Sequence, residues 1–188
     1  MLPNKDEFYI EAIRHFCSSL DITVALDRLY KYLKTVMPVD LLGVGVIDVE
    51  AKTFKGIANA TDTGSDWKNE VHPIHEITIE FIKTQDKKHP FLIDDMSAHE
   101  KVGYTFNQAE DKFFDEMFPD RKVCSIALPL LIDGVWIGTL NIVASGTGRL
   151  KQEHADLLIP LQEPFAMVMS NCLQYQEISR LQEILEED

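Results

Sequence analysis

The stretch His72-Pro73-Ile74-His75-Glu76 gathers two imidazoles and a carboxylate, and His89, His99, Asp94 and Asp95 follow it. Imidazole with carboxylate suits iron or zinc. His72 and His75, however, stand three apart at a helix start containing Pro73, not four apart on a formed helix. They are read as loop and cap residues, and no metal ligand or haem ligand is assigned. Asp94-Asp95 ends the short strand "PFLID" and could meet a ligand's amine or hydroxyl. A carboxylate placed there also caps the turn that follows, and capping is the stronger reading.

Nucleophilic chemistry has less to work with. Cys17, Cys124 and Cys172 are odd in number and widely spaced, which favours reduced thiols over a disulfide framework. Cys124 lies in a strand without an evident basic neighbour and reads as a small buried hydrophobe. No Ser/His/Asp arrangement, phosphate-cradling glycine loop or zinc-ribbon spacing is present, so no catalytic residue is assigned. Recognition remains. Tyr104, Phe106, Phe113, Phe114 and Phe118 surround one short amphipathic segment, as stacking surface for a flat ligand or as core. Trp67, in a polar stretch, either closes over a pocket or pins its loop.

The elements that must position these groups follow from periodicity. Asp6 to Met37 reads as helix with a break near Ser18–Asp21, Asp21 capping the second piece and Pro38 ending it. "DLLGVGVIDVE" and "KTFKGIANA" read as strands, Thr61 to His72 as a polar loop, and "PIHEITIEFIKTQ" as a helix entered at Pro73. "DMSAHEKVGYTF" reads as irregular loop, and "NQAEDKFFDEMF" as a short helix with Asn107 and Glu110 in capping-box spacing. From Leu150 to Glu187 the pattern is helical, with a kink or break expected between Ile159 and Phe165 because of Pro160 and Pro164.

"KVCSIALPLLI" and "VWIGTLNIVAS" are strands joined by Asp133-Gly134, a strong hairpin signal. A two-residue turn sets Ile132 opposite Val135, Leu128 opposite Thr139 and Ile126 opposite Asn141. One face then carries Cys124, Ile126, Leu128, Leu130, Ile137, Thr139 and Asn141, and the other Ser125, Ala127, Pro129, Leu131, Trp136, Leu140 and Ile142. Both faces are apolar, so both need cover. Terminal helices supply one layer, and the other comes from Thr61 to Phe118, where a loop-roofed sheet offers a pocket. The fold class is α+β: an antiparallel sheet with terminal helices on one face and loops and short helices over the other.

The 188 residues, 45% hydrophobic, suit one domain with appendages. A net charge of -13 repels phosphate backbones and anionic lipids, so neither nucleic-acid nor membrane contact is expected. The N-terminus mixes charges throughout and no apolar run approaches a bilayer span, which gives a cytoplasmic expectation.

"CSIALPLLIDGVWIGTLNIVAS" resembles the closing strand pair of a GAF domain, with Ser125, Pro129-Leu130, the turn Gly134 and Ile137-Gly138-Thr139-Leu140 in place. "HPFLIDDMSAH" resembles that family's central strand and its terminal acidic residue. "FAMVMSNCLQYQEISRLQEIL" resembles the GAF exit helix, and its charged, leucine-spaced end is similar to the junction ahead of the AAA+ motor in sigma-54-dependent transcriptional activators. The resemblance covers roughly Ile22 to Leu173. It departs from cyclic-nucleotide, bilin-attaching and free-methionine-sulfoxide-reductase members, whose signature residues are absent.

The resemblance implies a GAF sensor domain over residues 1–173 and, over 174–188, an exit helix or coiled-coil linker to an output domain. It implies a regulatory role with an unidentified small-molecule ligand, no named cofactor and a homodimer. Expected ligand contacts are Trp67, His75, Phe91, Asp94, Asp95, Tyr104, Phe106, Phe114, Ile126, Thr139 and Asn141. Expected dimer and signalling positions are Phe16, Leu173, Ile178, Leu181 and Leu185. A ligand-free GAF-fold dimerisation module and a GAF-type free-methionine sulfoxide reductase stay open as alternatives.

Overall fold

The computed structural model describes residues 1–187. Helices α1 (Lys5–Phe16) and α2 (Ile22–Lys34) lead into strands β1 (Leu41–Asp48), β2 (Thr53–Thr61) and β3 (Gly64–Pro73). Then follow α3 (Glu76–Thr84), β4 (Phe91–Ile93), α4 (Gly103–Phe106) and α5 (Lys112–Met117). The hairpin β5 (Val123–Ile132) and β6 (Val135–Ser145), then α6 (Gln152–Leu158), a 3-10 turn (Ile159–Leu161) and α7 (Gln162–Glu187) complete the chain. One six-stranded sheet, order β3-β2-β1-β6-β5-β4, is antiparallel at every pairing. This is the α+β architecture expected, with two cores, one on each face.

The larger core lies under the terminal helices. Phe8 and Phe16 of α1, Leu26, Leu29 and Leu33 of α2, and Phe165 and Met169 of α7 meet Leu42, Ile126, Leu128, Leu140 and Ile142 of the sheet. Local caps start the helices there: Asn4 Oδ1 accepts the Asp6 N–H at 2.8 Å and Asp21 Oδ1 the Thr23 N–H at 2.9 Å. Phe16 and Phe165, both fully buried, meet edge-on with centroids 4.6 Å apart and join the first helix to the last. The smaller core, Leu41, Phe118, Val123 and Val143 with Phe106, Phe113 and Phe114 against it, lies between the sheet and α5.

The hairpin has its expected turn, with Asp133 at φ 49° and Gly134 at φ 76°, but not its expected register. Leu131 pairs with Trp136 and Leu130 with Gly138, leaving Ile137 as an extra residue in β6. This bulge moves β6 by one residue, so Leu128 faces Leu140 and Ile126 faces Ile142. Leu140 and Ile142 thereby join the helix-side core, while Thr139 and Asn141 pass to the other face with Ser125 and Pro129. The bulge is the better solution physically: without it two polar side chains would be buried under the helices and two aliphatic ones withdrawn from them.

Other boundaries differ locally. The Thr61–His72 segment is mostly strand β3, a polar edge strand with few apolar residues to mark it. Pro73 ends that strand, and α3 starts at Glu76 with His75 as its N-cap. The segment expected to be irregular contains the single turn α4. Asp111, not Asn107, caps α5, its Oδ1 accepting the Phe114 N–H at 3.0 Å. The expected interruption near Pro160 is the 3-10 turn, and Pro164 sits in the first turn of α7, where a missing N–H costs little. No described helix is long and apolar enough to cross a membrane.

Candidate functional site

On the face away from the terminal helices, the sheet and α3–α5 enclose a cavity of about 310 Å³. Its floor holds Gly43, Asn59 and Asn141, part of one row across the sheet. Gly43 of β1 pairs with Asn59 of β2 on one side and Asn141 of β6 on the other. Asn141 in turn pairs with Ala127, and Ala127 with Phe91 at the β4 edge. Because Gly43 has no side chain, the Asn59 carboxamide lies over β1, its Oδ1 only 2.8 Å from where a Cβ would stand. Phe54 lies similarly over Gly45 and forms part of the wall.

The roof is tied by hydroxyls. Thr78 of α3 donates to the Lys101 carbonyl at 2.7 Å, Thr105 of α4 donates to Thr78 at 2.8 Å, and the His75 N–H donates to Thr105 at 2.9 Å. Phe106 and Phe114 meet edge-on at 5.5 Å and, with Phe113, give an aromatic wall. Arg121 braces it from behind: Nε donates to Asp115 at 2.7 Å, and its Nη atoms donate to the Phe106 and Ala109 carbonyls at 2.6 Å each. Lys68 of β3 places its ammonium 3.8 Å from the Phe113 ring centroid, joining the sheet edge to α5.

Beside that contact, Glu70, His72 and Asp111 bring two carboxylates and an imidazole within 4.8 Å of one another. His72 Nε2 is 3.4 Å from Glu70. These donor types could hold a divalent ion, with Glu70 exposed to solvent and Asp111 already engaged as the α5 cap.

Of the expected ligand contacts, Phe106, Phe114 and Asn141 line this cavity. The others stand elsewhere. Trp67 pairs with Ala58 and packs against the helix-side core, and Ile126 is fully buried in that core, because strand alternation turns both away from the cavity. Thr139 lies on the cavity face but is covered by Trp136, whose Nε1 donates to it at 3.2 Å. His75 caps α3 by accepting the Ile77 N–H on Nδ1 and stacks on Tyr104 with centroids 5.0 Å apart, outside the roof. Phe91 sits on the edge strand near Lys87, and Asp94 is exposed.

Asp95 does the capping expected of the pair: it accepts from the Ser97 hydroxyl and N–H and from the Ala98 N–H. The Ser97 hydroxyl leads in holding its carboxyl below the usual range, with the Ala98 N–H and Lys122 helping. Asn59, Lys68 and Glu70 are not among the residues the sequence singles out, and His72 is singled out only as a loop residue, because a polar edge strand resembles a loop and without its pairing the pocket face of β2 has no visible partner. The alternation of Lys68, Glu70 and His72 was the available signal.

No protein-family model matches the chain, and no curated protein matches it in sequence. Solved structures do share its fold. It is similar to the GAF domain of an Acinetobacter phosphoenolpyruvate-protein phosphotransferase, at 11% identity and TM-score 0.61 over 94% of this chain and 99% of that one. It is similar to the phycoerythrobilin-bound GAF domain of a cyanobacterial phytochrome, at 12% identity and TM-score 0.57 over 91% and 99%. A free methionine-R-sulfoxide reductase from Neisseria meningitidis, solved with its substrate, is 14% identical with TM-score 0.55 over 93% and 97%. The chain has the GAF fold, which domains of a phosphotransferase and a phytochrome share with a reductase.

Proposed function

We propose that this chain is a small-molecule-sensing regulatory GAF domain that passes ligand state through α1 and α7 of a homodimer to an output domain. The observation that carries this reading is the placement of the cavity. An apolar, aromatic-walled pocket lies on one face of the sheet, and α1 and α7 lie on the other. A ligand that prefers one arrangement of strands under it therefore biases the helices across the sheet.

The end of α7 supports the dimer. Its last buried residue is Cys172, after which Ile178, Leu181 and Leu185 are 55%, 46% and 76% exposed at three-to-four spacing. So short an apolar stripe is marginal alone and gains cover from a second copy of itself. The finer assignment, to the sensor of a sigma-54-dependent activator, rests on the resemblance of this charged, leucine-spaced tail.

The thiol-reductase alternative is disfavoured by cysteine placement. Cys124 points into the helix-side core, with Sγ 3.7 Å from the Ala144 carbonyl. Cys172 lies under the end of α1, and burial first, then Asp21 and Cys17, pushes its thiol up to about 11, opposite to what a nucleophile needs.

Native mass spectrometry with a denatured control tests the sensing role, followed by hydrogen exchange of α7 with and without whatever co-purifies. A stoichiometric small molecule whose removal speeds exchange in α7 is the expected result. A clean dimer with α7 exchange indifferent to every cavity binder supports the dimerisation module instead.

A further inference from the structure

The chemistry of the regulatory ligand, a question that rests on the sensing role just proposed, is narrowed by the polar groups the cavity presents. Asn59 and Asn141 flank Gly43 on the floor and are half-buried. Among the described residues, neither carboxamide hydrogen-bonds to another protein group. Each offers two N–H donors and a carbonyl acceptor, open to whatever enters the cavity. The Asn59 carboxamide lies over β1, and Asn141 stands on the next strand, so both line the same aromatic-walled slot.

Charge around the slot disfavours anions. The Arg121 guanidinium is committed to Asp115 and two backbone carbonyls, and the Lys68 ammonium rests on the Phe113 ring. Glu70 and Asp111 bring two carboxylates to the mouth. A carboxylate or phosphate entering here would leave water and pass these two acids, and among the described lining residues it would meet only Lys68 without a carboxylate or carbonyl partner.

We propose that the cavity selects an uncharged, planar molecule presenting an amide-like donor–acceptor edge, a lactam or primary carboxamide, to Asn59 and Asn141, and rejects the matching carboxylate. The aromatic walls take the flat body and the paired carboxamides read the edge.

The test uses a matched pair of probes, quinoline-2-carboxamide and quinoline-2-carboxylate, titrated into nitrogen-15-labelled full chain. The side-chain amide signals of Asn59 and Asn141 are followed, assigned by their loss in Asn59→Leu and Asn141→Leu. The carboxamide should saturate, move both signals and lose about tenfold in affinity in each variant, with the carboxylate at least tenfold weaker on the native chain. Thermal melting checks each variant first, and Asn59→Ser and Asn141→Ser replace a leucine variant that fails to fold. A carboxylate that binds as well as the carboxamide overturns the proposal while leaving the cavity a ligand site. Carboxamide affinity untouched by both substitutions does the same. If neither probe moves any cavity signal, the proposal falls and the sensing reading is weakened with it.

Discussion

Asn59 and Asn141 are neighbours of the same glycine: both pair with Gly43, one from β2 and one from β6. The glycine makes the spacing possible, because any Cβ there would stand 2.8 Å from Asn59 Oδ1. Gly43→Ala should turn the Asn59 carboxamide off the cavity floor at little cost to stability, since only the end of a side chain has to move. We expect carboxamide affinity to fall about tenfold, on the order of 1.4 kcal/mol, with a nearly unchanged melting temperature. A titration and a melting curve on the same sample check both halves.

The bulge at Ile137 decides which face of β6 meets which core. Deleting Ile137 would restore the simple two-residue register, bury Thr139 and Asn141 under the helices and withdraw Leu140 and Ile142. Each misplaced polar group costs about 1–3 kcal/mol, and each lost aliphatic burial roughly 1.5–3 kcal/mol. The sum rivals a domain's whole stability, so the deletion should leave no cooperative urea transition.

Gln162, at the start of α7, donates through Nε2 to the Lys87 carbonyl at 2.8 Å and the Pro129 carbonyl at 2.9 Å. It ties the exit helix to β5 and to the α3–β4 loop at a position only 8% exposed. Gln162→Leu keeps the bulk and abandons both carbonyls, and should cost about 1–3 kcal/mol by urea denaturation. An unchanged transition would mean water takes over both bonds.

His154 accepts the Lys151 N–H on Nδ1 at 2.9 Å, closing the first turn of α6. Burial leads in holding its imidazole below the ordinary 6.5. The unfolded chain therefore binds the proton first on acidification. Stability from this site is present above 6.5 and lost as pH falls through that value toward the lower folded one. The depressed Asp95 carboxyl acts in the same direction but only as pH falls from its ordinary 3.8. Unfolding free energies should decline in order from pH 7.5 to 6 to 5, and His154→Asn should flatten that decline.

The exposed stripe of α7 gives a test of assembly. Ile178→Glu with Leu185→Glu puts charge at two positions of the stripe without touching the globular core, whose α7 contacts end at Leu173. Light scattering should show the native chain as a dimer and the double variant as a monomer with an intact melting transition. A dimer that survives both changes would place the contact elsewhere.

The helices of the larger core were legible in the sequence because their apolar spacing and local caps are short-range signals. Asp21 caps α2 within its own turn, and the Asp133-Gly134 hairpin is written in two residues. The two-sided apolar hairpin also announced two covering layers, and the aromatic run around α5 marked Phe106 and Phe114 as stacking surface or core; they line the cavity and pack on the smaller core. These features are local, or depend on composition that any register preserves.

What the sequence could not determine depends on pairing between distant strands. A one-residue bulge reverses every side chain beyond it, and only packing against the helices selects that register over the simple one. β3 is a polar edge strand whose ladder partner, not its own residues, makes it a strand. Asn59 acquires its position from Gly43, and Lys68, Glu70 and His72 acquire theirs by facing α5 across the cavity mouth. Local propensity fixes turns and helix ends because its energies are counted within a few residues. The cavity floor was decided by tertiary structure because its cost and gain are shared by residues that meet only when the sheet has formed.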